Sequence, residues 1–444
     1  MKILFILKRY LIEPLGIGCL ISQLKLKDFE VDLIQITDNT DVYDYVINYK
    51  PDIICFNVWT GGHKYFYDLN KYLKRKYKYI SIFGGAHATF CVDSVLSQKD
   101  IDYVIKGEGD YALADLCCVI RDGMASTSSV PSLIDVKQPP QDLNKLPLPD
   151  RMLLYKYEHN INNPIRSISA SRGCPFSCTF CYNEKFNEMF EGKKVRFRNV
   201  ESVIEEARLI VKEYDKTELF FFQDDEICAR LKTIEILAKD WQKKVGKPFH
   251  AQLRIESISD DKVKLLKEAG CNSVTFAIES ATYETRKNVL NKKFTNEQID
   301  NAIKVIRKYK LRFRIENMLG IPFCNTLQDM WDTYKLNLHY KPFLAWASLC
   351  QPYPSTSLGD KCEKAGLYSG NVDDIPDAFF GKTILAFPKK SKTVLENAQK
   401  IFSLLIGCHI PIWLAKFIVR YNNKLLGKIA EFYKRNQFKR MYGL

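Results

Sequence analysis

The segment SRGCPFSCTFCYN (171–183) sets Cys174, Cys178 and Cys181 apart by three and then two residues, with Gly173 and Pro175 among them. It follows the β-rich run IRSISAS (165–171). Pro and Gly at this density exclude regular helix or strand, so the cysteines lie on a loop at the end of a strand. A loop lets three thiolates converge. Iron–sulfur cubes take Cys ligands, usually four. The loop has no fourth cysteine, which leaves one iron open to an outside chelator, as catalytic zinc sites keep an open position. A zinc knuckle or a set of buried thiols is the alternative. Zinc wants four ligands, however, and His159 and His250 are distant in sequence.

Outward from this loop, a strand–helix series continues through LFFFQ (219–223), FHAQLRI (249–255), SVTFAI (273–278), LRFRIEN (311–317) and LAWASLCQ (344–351). Amphipathic stretches such as VESVIEEARLIVKEY separate these runs. Six such units are too few to close an eight-stranded barrel, so an open (β/α)6 partial barrel is expected over 164–360, with functional residues at the strands' carboxyl ends. Upstream, KILFIL (2–7), VDLIQI (31–36), DIICFNV (52–58), YISIFGG (79–85) and DYVIKGEG (102–109) alternate with helical stretches. That pattern predicts a Rossmann-like, doubly wound parallel sheet over 1–135, which binds ligands beyond its strand ends. Residues 136–163, rich in Pro and polar side chains, read as a linker. Residues 361–444 read as a helical region, in which Pro411 breaks the apolar run 401–419 into a pair of helices.

The chain has 444 residues and 46% hydrophobic side chains, enough for more than one packed core. The opening KILFIL reads as a buried strand rather than a signal peptide, and the fourteen cysteines, mostly scattered, suit buried thiols in a reducing cytoplasm. The net charge is +14, and from Lys416 onward eight Lys or Arg face one acid, Glu431. No nucleic-acid-binding signature accompanies that charge, so no nucleic acid is expected as a partner. A basic, partly apolar tail leaves peripheral membrane contact open.

The Cys-x3-Cys-x2-Cys pattern with Phe180 before its last cysteine resembles the radical S-adenosylmethionine (SAM) superfamily. The resemblance implies a 4Fe–4S cluster on Cys174, Cys178 and Cys181, with SAM chelated to the open iron and cleaved to a 5′-deoxyadenosyl radical. It implies SAM contacts for Asp224 and Asp225 after the second strand, for Arg254 after the third, and for Glu279 and Ser280 after the fourth, where Glu279 meets ribose hydroxyls. The fifth strand departs from the family: Gly320–Ile321–Pro322–Phe323–Cys324–Asn325–Thr326 has an extra residue, and Asn325 stands where Glu is usual.

The N-terminal segment, with GGAHAT (84–89) and GEGDYAL (107–113), is similar to the cobalamin-binding domain of cobalamin-dependent radical SAM enzymes. It lacks the Asp-x-His-x-x-Gly motif at both His63 and His87. The resemblance implies cobalamin with its nucleotide tail displaced, Asn57, Val58, Trp59 and Thr60 near its lower face, and Gly84, Gly85 and His87 along the tail. The activity implied is methylation of an unactivated carbon. A cobalamin-dependent oxidative cyclisation or rearrangement without methyl transfer is the second reading, and a non-catalytic corrinoid or electron-transfer protein the third. The expected partners are a reductant such as flavodoxin or ferredoxin and a small-molecule, lipid or peptide substrate. The C-terminal helices are expected to cap the barrel's open side and bound the substrate pocket.

Overall fold

Runs of Ile, Leu, Val and Phe build two six-stranded, all-parallel sheets, one in each of two structural units. The computed structural model describes residues 1–10, 12–37, 40–124, 131–421 and 424–444. The first unit comprises 1–162 together with 185–196 and 371–377, and the second comprises the remainder.

In the first unit β1 (Lys2–Lys8), β2 (Glu30–Ile36), β3 (Ile53–Asn57), β4 (Ile80–Gly84), β5 (Tyr103–Lys106) and β6 (Ser132–Asp135) stand in the order β2-β1-β3-β4-β5-β6. The chain departs to opposite sides of β1, so the switch point of this doubly wound sheet lies between β1 and β3. Five strands match the apolar runs of the sequence. The sixth, β6, is short, half-exposed and at the sheet edge, so little apolar patterning marks it.

The segment read as a linker is packed on this unit. Glu13, buried, accepts hydrogen bonds from Arg151 (2.5 Å) and the Tyr155 hydroxyl (3.0 Å), and Asp150 pairs with Lys25. Its polar residues thus serve as anchors rather than as solvated spacers. Two excursions from later in the chain also belong here. Arg196, almost wholly buried, donates to Glu108 at 2.9 and 2.5 Å and to the Pro140 carbonyl, while Asp373 meets buried His63 at 2.9 Å.

In the second unit β7 (Ile165–Ile168), β8 (Leu219–Phe222), β9 (Phe249–Leu253), β10 (Cys271–Glu279), β11 (Arg312–Leu319) and β12 (Leu344–Leu349) are laid down in chain order, giving an open partial barrel. Trp241, on the helix Leu231–Lys244, packs against Phe220, Phe222 and Phe249 and fixes that helix to the sheet. Three C-terminal helices follow: α1 (Lys389–Gly407), α2 (Ile412–Ile418) and α3 (Lys424–Tyr442), with Pro411 as the N-cap of α2. Helix α1 covers the edge strand β12, where Ser403 and Gln399 donate to the carbonyls of Ala345 and Ala347. That covering satisfies an edge that would otherwise invite pairing.

The end of α3 lies at the strands' amino ends, contrary to the expectation that this region bounds the substrate side. Met441 and Tyr442 are buried with Leu219, Phe221 and Leu344, and Asn272 donates to the Tyr442 carbonyl. Large apolar side chains there plug the mouth opposite the cysteine loop. Among the described residues no helix is long and apolar enough to cross a membrane.

Replacing Glu108 with Ala leaves the Arg196 guanidinium buried without its carboxylate, a loss of about 3–5 kcal/mol. Denaturant unfolding monitored by fluorescence should record that drop, and Glu108→Asp should recover part of it.

Candidate functional site

The cysteine loop is held at the carboxyl end of β7 by Asp224, from the end of β8. Both Asp224 oxygens accept from the Ala170 amide, at 3.1 and 3.0 Å, and Oδ1 also accepts from the Ser171 hydroxyl at 2.5 Å. Burial pushes its carboxyl up to about 6, a rise moderated by these donors. Further along, Thr179 donates to the Val289 carbonyl at 2.6 Å, and Asn291 donates to the Ser177 carbonyl at 2.6 Å. Cys174 and Cys178 are buried and Cys181 half-buried. Burial raises the Cys174 and Cys181 thiols to about 11, and each of the two also feels the charge of Cys178. Bonding to iron removes such thiol protons. Among the described residues no three His, Cys, Asp or Glu side chains crowd together as ligands of one metal ion would. An iron–sulfur cube takes each thiolate on a separate iron and does not require that crowding. The donor set of three cysteines on one pinned loop fits such a cluster.

The three consecutive acids after β8 have different situations. Asp224 is spent on the loop backbone. Glu226, also buried, accepts from the Arg254 amide (2.6 Å), the Ser257 hydroxyl (2.8 Å) and the Cys228 amide (2.9 Å), and burial raises it to about 7. Asp225 is exposed and receives one long hydrogen bond, 3.3 Å from Asn183, two residues past Cys181. Of the two aspartates expected near SAM, Asp224 is engaged with the loop backbone and Asp225 is the more open. Arg254 donates to Cys178 Sγ at 3.2 Å, lies 3.7 Å over the Phe176 ring and pairs with Glu256. Phe180 is half-buried within the loop.

Glu279 ends β10 with φ +67°, at a register irregularity against β11. Its carboxylate lies 3.2 Å from Lys292 Nζ, and burial raises its pKa against that neighbour's pull. Lys292 carries no motif, so the sequence alone does not single it out. Ser280 is fully buried, and its hydroxyl donates to Asp329 at 2.5 Å. In the departing fifth turn, Phe323 absorbs the extra residue with φ +62°, and Asn325 caps the helix Thr326–Tyr340 by accepting from the Gln328 amide. The turn persists, with the Asn325 oxygen committed to the helix.

In the first unit a shallow, partly open apolar pocket is lined by residues that include Phe5, Ile17, Cys55, Asn57, Gly84, Gly85, Ile105 and Gly107. It opens at the carboxyl ends of the strands around the switch point. A Cβ on Gly84 would meet only the Ile105 carbonyl oxygen, at 4.0 Å, so the space a side chain would fill is open. Gly85 is obligatory: at φ +97° a Cβ would lie 2.3 Å from Asn57 Oδ1. The apolar lining and the open space beside Gly84 suit the edge of a flat apolar group, and Asn57, Gly84 and Gly85 are the residues that would receive a displaced cobalamin nucleotide. Val58 and Thr60 are buried, and the Trp59 indole donates to the Asp377 carbonyl. His87 is turned away from the pocket. Its ring stacks on His63 at 4.1 Å, Nδ1 pairs with Thr60, and Nε2 lies within reach of Tyr67 and Ser94. Both ring nitrogens thus have partners within the unit.

Residues 168–336 match the model of the Radical SAM superfamily, and residues 1–117 match that of the B12 binding domain. A protein of Pyrococcus horikoshii named as an uncharacterized methyltransferase is 26% identical over 369 residues, 78% of this chain and 77% of that protein. An anaerobic magnesium-protoporphyrin IX monomethyl ester cyclase of Rubrivivax gelatinosus is 25% identical over 347 residues, 72% of this chain and 61% of its own length. The structure of the radical SAM methyltransferase TsrM from Kitasatospora setae aligns with TM-score 0.67 at 15% identity, over 82% of this chain and 76% of that one, a likeness of fold. The chain thus joins a B12 binding domain over 1–117 to a radical SAM domain over 168–336. The cofactors these two domains imply are a 4Fe–4S cluster, SAM and cobalamin.

Asp224→Ala removes the acceptor of the Ala170 and Ser171 donors, a cost of about 1.5–3 kcal/mol borne by the cysteine loop. Iron and sulfide content after anaerobic reconstitution should fall, while Asp225→Ala should leave it unchanged. Burial, together with His63, holds His87 at about 3, below its ordinary 6.5. The unfolded chain takes up this proton near 6.5 and the folded chain resists it down to about 3, so stability falls as pH drops through that window. Equilibrium unfolding of His87→Gln should show a shallower slope there.

Proposed function

We propose that this enzyme methylates an unactivated carbon. The observation that carries the reading is the glycine-lined pocket at the β1/β3 switch point in a chain that also keeps a fully pinned three-cysteine loop. Relatives named as methyltransferases support it, including a hopanoid C-3 methylase of Methylococcus capsulatus, 25% identical over 62% of this chain and 54% of its own length. When bound, the cluster and SAM supply one-electron hydrogen-abstraction chemistry, and cobalamin supplies methyl-carrier chemistry.

In this reading Cys174, Cys178 and Cys181 hold the cluster, and Phe180 packs the loop around it. Asp225, which accepts one long hydrogen bond from Asn183, offers its remaining lone pairs to the SAM amine. Glu279, 3.2 Å from Lys292, accepts from ribose hydroxyls, for which its spare lone pairs suffice. Arg254 orients Cys178 and faces the SAM carboxylate side. Asn57, Gly84 and Gly85 receive the cobalamin tail, with Val58, Trp59 and Thr60 shaping the loop beneath the corrin. Ferredoxin or flavodoxin is the reductant, and the substrate is a small molecule, a lipid or a peptide.

A cobalamin-dependent cyclisation is the second reading, favoured by the cyclase of Rubrivivax gelatinosus among the relatives. Incubation with methyl-labelled SAM, hydroxocobalamin and a reductant separates the two. Methyl transfer yields S-adenosylhomocysteine together with 5′-deoxyadenosine, whereas deoxyadenosine alone supports cyclisation. Gly84→Leu should fill the pocket and lose retained corrinoid absorbance after gel filtration while keeping iron content. Glu279→Gln should weaken equilibrium SAM binding about tenfold, in line with about 1.5 kcal/mol for a hydrogen bond to a charged group.

A further inference from the structure

Helices α2 and α3 bury one face and leave an apolar one outside. Ala415, Val419 and Ala430 are buried in a cluster with Trp331, Tyr334, Phe402 and Leu405. On the outside stand Trp413 at 70% exposure, Phe417 at 56%, Tyr421 at 61%, Leu425 at 67%, Ile429 at 43% and Phe432 at 67%. Their spacing of four, four, four, four and three residues puts Trp413 and Phe417 on one face of α2, and Leu425, Ile429 and Phe432 on one face of α3. The Phe417 and Tyr421 rings are 5.5 Å apart, which makes the row continuous where α2 ends.

A second row runs one residue earlier: Lys416, Arg420, Lys424 and Lys428, all exposed, with Arg435 beyond. Glu431 is the only acid from Lys416 to the end of the chain. Soluble proteins rarely leave so many large apolar side chains in one line without a partner surface.

We propose that this face of α2 and α3 docks the enzyme on an anionic lipid surface, with the apolar row entering the headgroup–acyl boundary and the cation row meeting lipid phosphates. Paired rows of aromatic or aliphatic and basic side chains are what an interfacial helix requires. Neither helix spans the bilayer, consistent with the absence of a crossing helix among the described residues. Charge selects this occupant over a second copy of the chain, because apposing the same face would set Arg420, Lys424, Lys428 and Arg435 against their own counterparts. It is also selected over nucleic acid, since Leu425 and Ile429 give a base nothing to stack on, whereas acyl chains accept aliphatic and aromatic groups alike. The proposal concerns neither cofactor site and stands apart from the assignment of methyl transfer.

The test is co-sedimentation of the full chain with vesicles of phosphatidylcholine alone and of phosphatidylcholine mixed equally with phosphatidylglycerol. Binding is expected on the mixed vesicles and should weaken with added salt. The charge reversal Lys424→Glu with Lys428→Glu should lower it at least about tenfold, as expected for surface cations near anionic lipid. The triple variant Trp413→Ala, Phe417→Ala, Phe432→Ala should lower it by a similar factor. Trp413→Ala alone should do so partially, and all of these side chains are exposed, so thermal melting should be unchanged. Absence of binding to mixed vesicles overturns the proposal. So does wild-type self-association in sedimentation velocity that the triple variant abolishes, or equal binding to polyglutamate that only the charge reversal affects.

Discussion

The carboxylate of Asp224 joins the two things the second unit must hold together. It sits at the end of β8, and its oxygens take the Ala170 amide and the Ser171 hydroxyl at the start of the cysteine loop. A loop with Gly173 and Pro175 cannot satisfy its own backbone through regular pairing. The neighbouring strand supplies the acceptor instead, and the loop's position follows from the sheet's register. Glu226 does the same one strand further on, tying the end of β8 to Arg254 and Ser257 after β9. With two of three consecutive carboxylates consumed in this way, Asp225 is left facing outward beside Asn183.

That division of labour explains what could be read from the chain and what could not. Eleven of the twelve strands in the two main sheets were legible, some as nearly continuous apolar runs such as LFFF and others as alternating stretches such as RFRI. The exception, β6, lies at an edge and is half-exposed. The cysteine loop was legible because few structures other than a cluster site need that spacing. Side-chain direction was not. Asp224, Ser280 and His87 all carry expected ligand contacts from their place in the motifs, and tertiary contacts engage each of them internally: with Ala170, with Asp329, and with Thr60 and Tyr67. The period of a strand says which residues alternate, and it does not say which polar group a buried backbone will claim.

Connectivity was the other blind spot. The segments 185–196 and 371–377 belong to the first unit although both arise from within the second. Nothing in their composition marks this. What holds them is a few long-range pairs, Glu108 with Arg196 and His63 with Asp373, in which a buried charged or polar group needs one specific partner. The C-terminal region likewise reads as helical from its pattern, but only packing reveals that its last residues plug the amino ends of the strands and that α2 and α3 leave aromatic side chains outside.

The central claim is that Cys174, Cys178 and Cys181 hold the redox cluster that cleaves SAM. The most direct measurement is 5′-deoxyadenosine formation by the anaerobically reconstituted chain with SAM and dithionite, beside a Cys178→Ala variant. The wild type should form deoxyadenosine and show the low-temperature electron paramagnetic resonance signal of a reduced 4Fe–4S cluster, and the variant should do neither. Reductive SAM cleavage that persists in the variant would contradict the assignment.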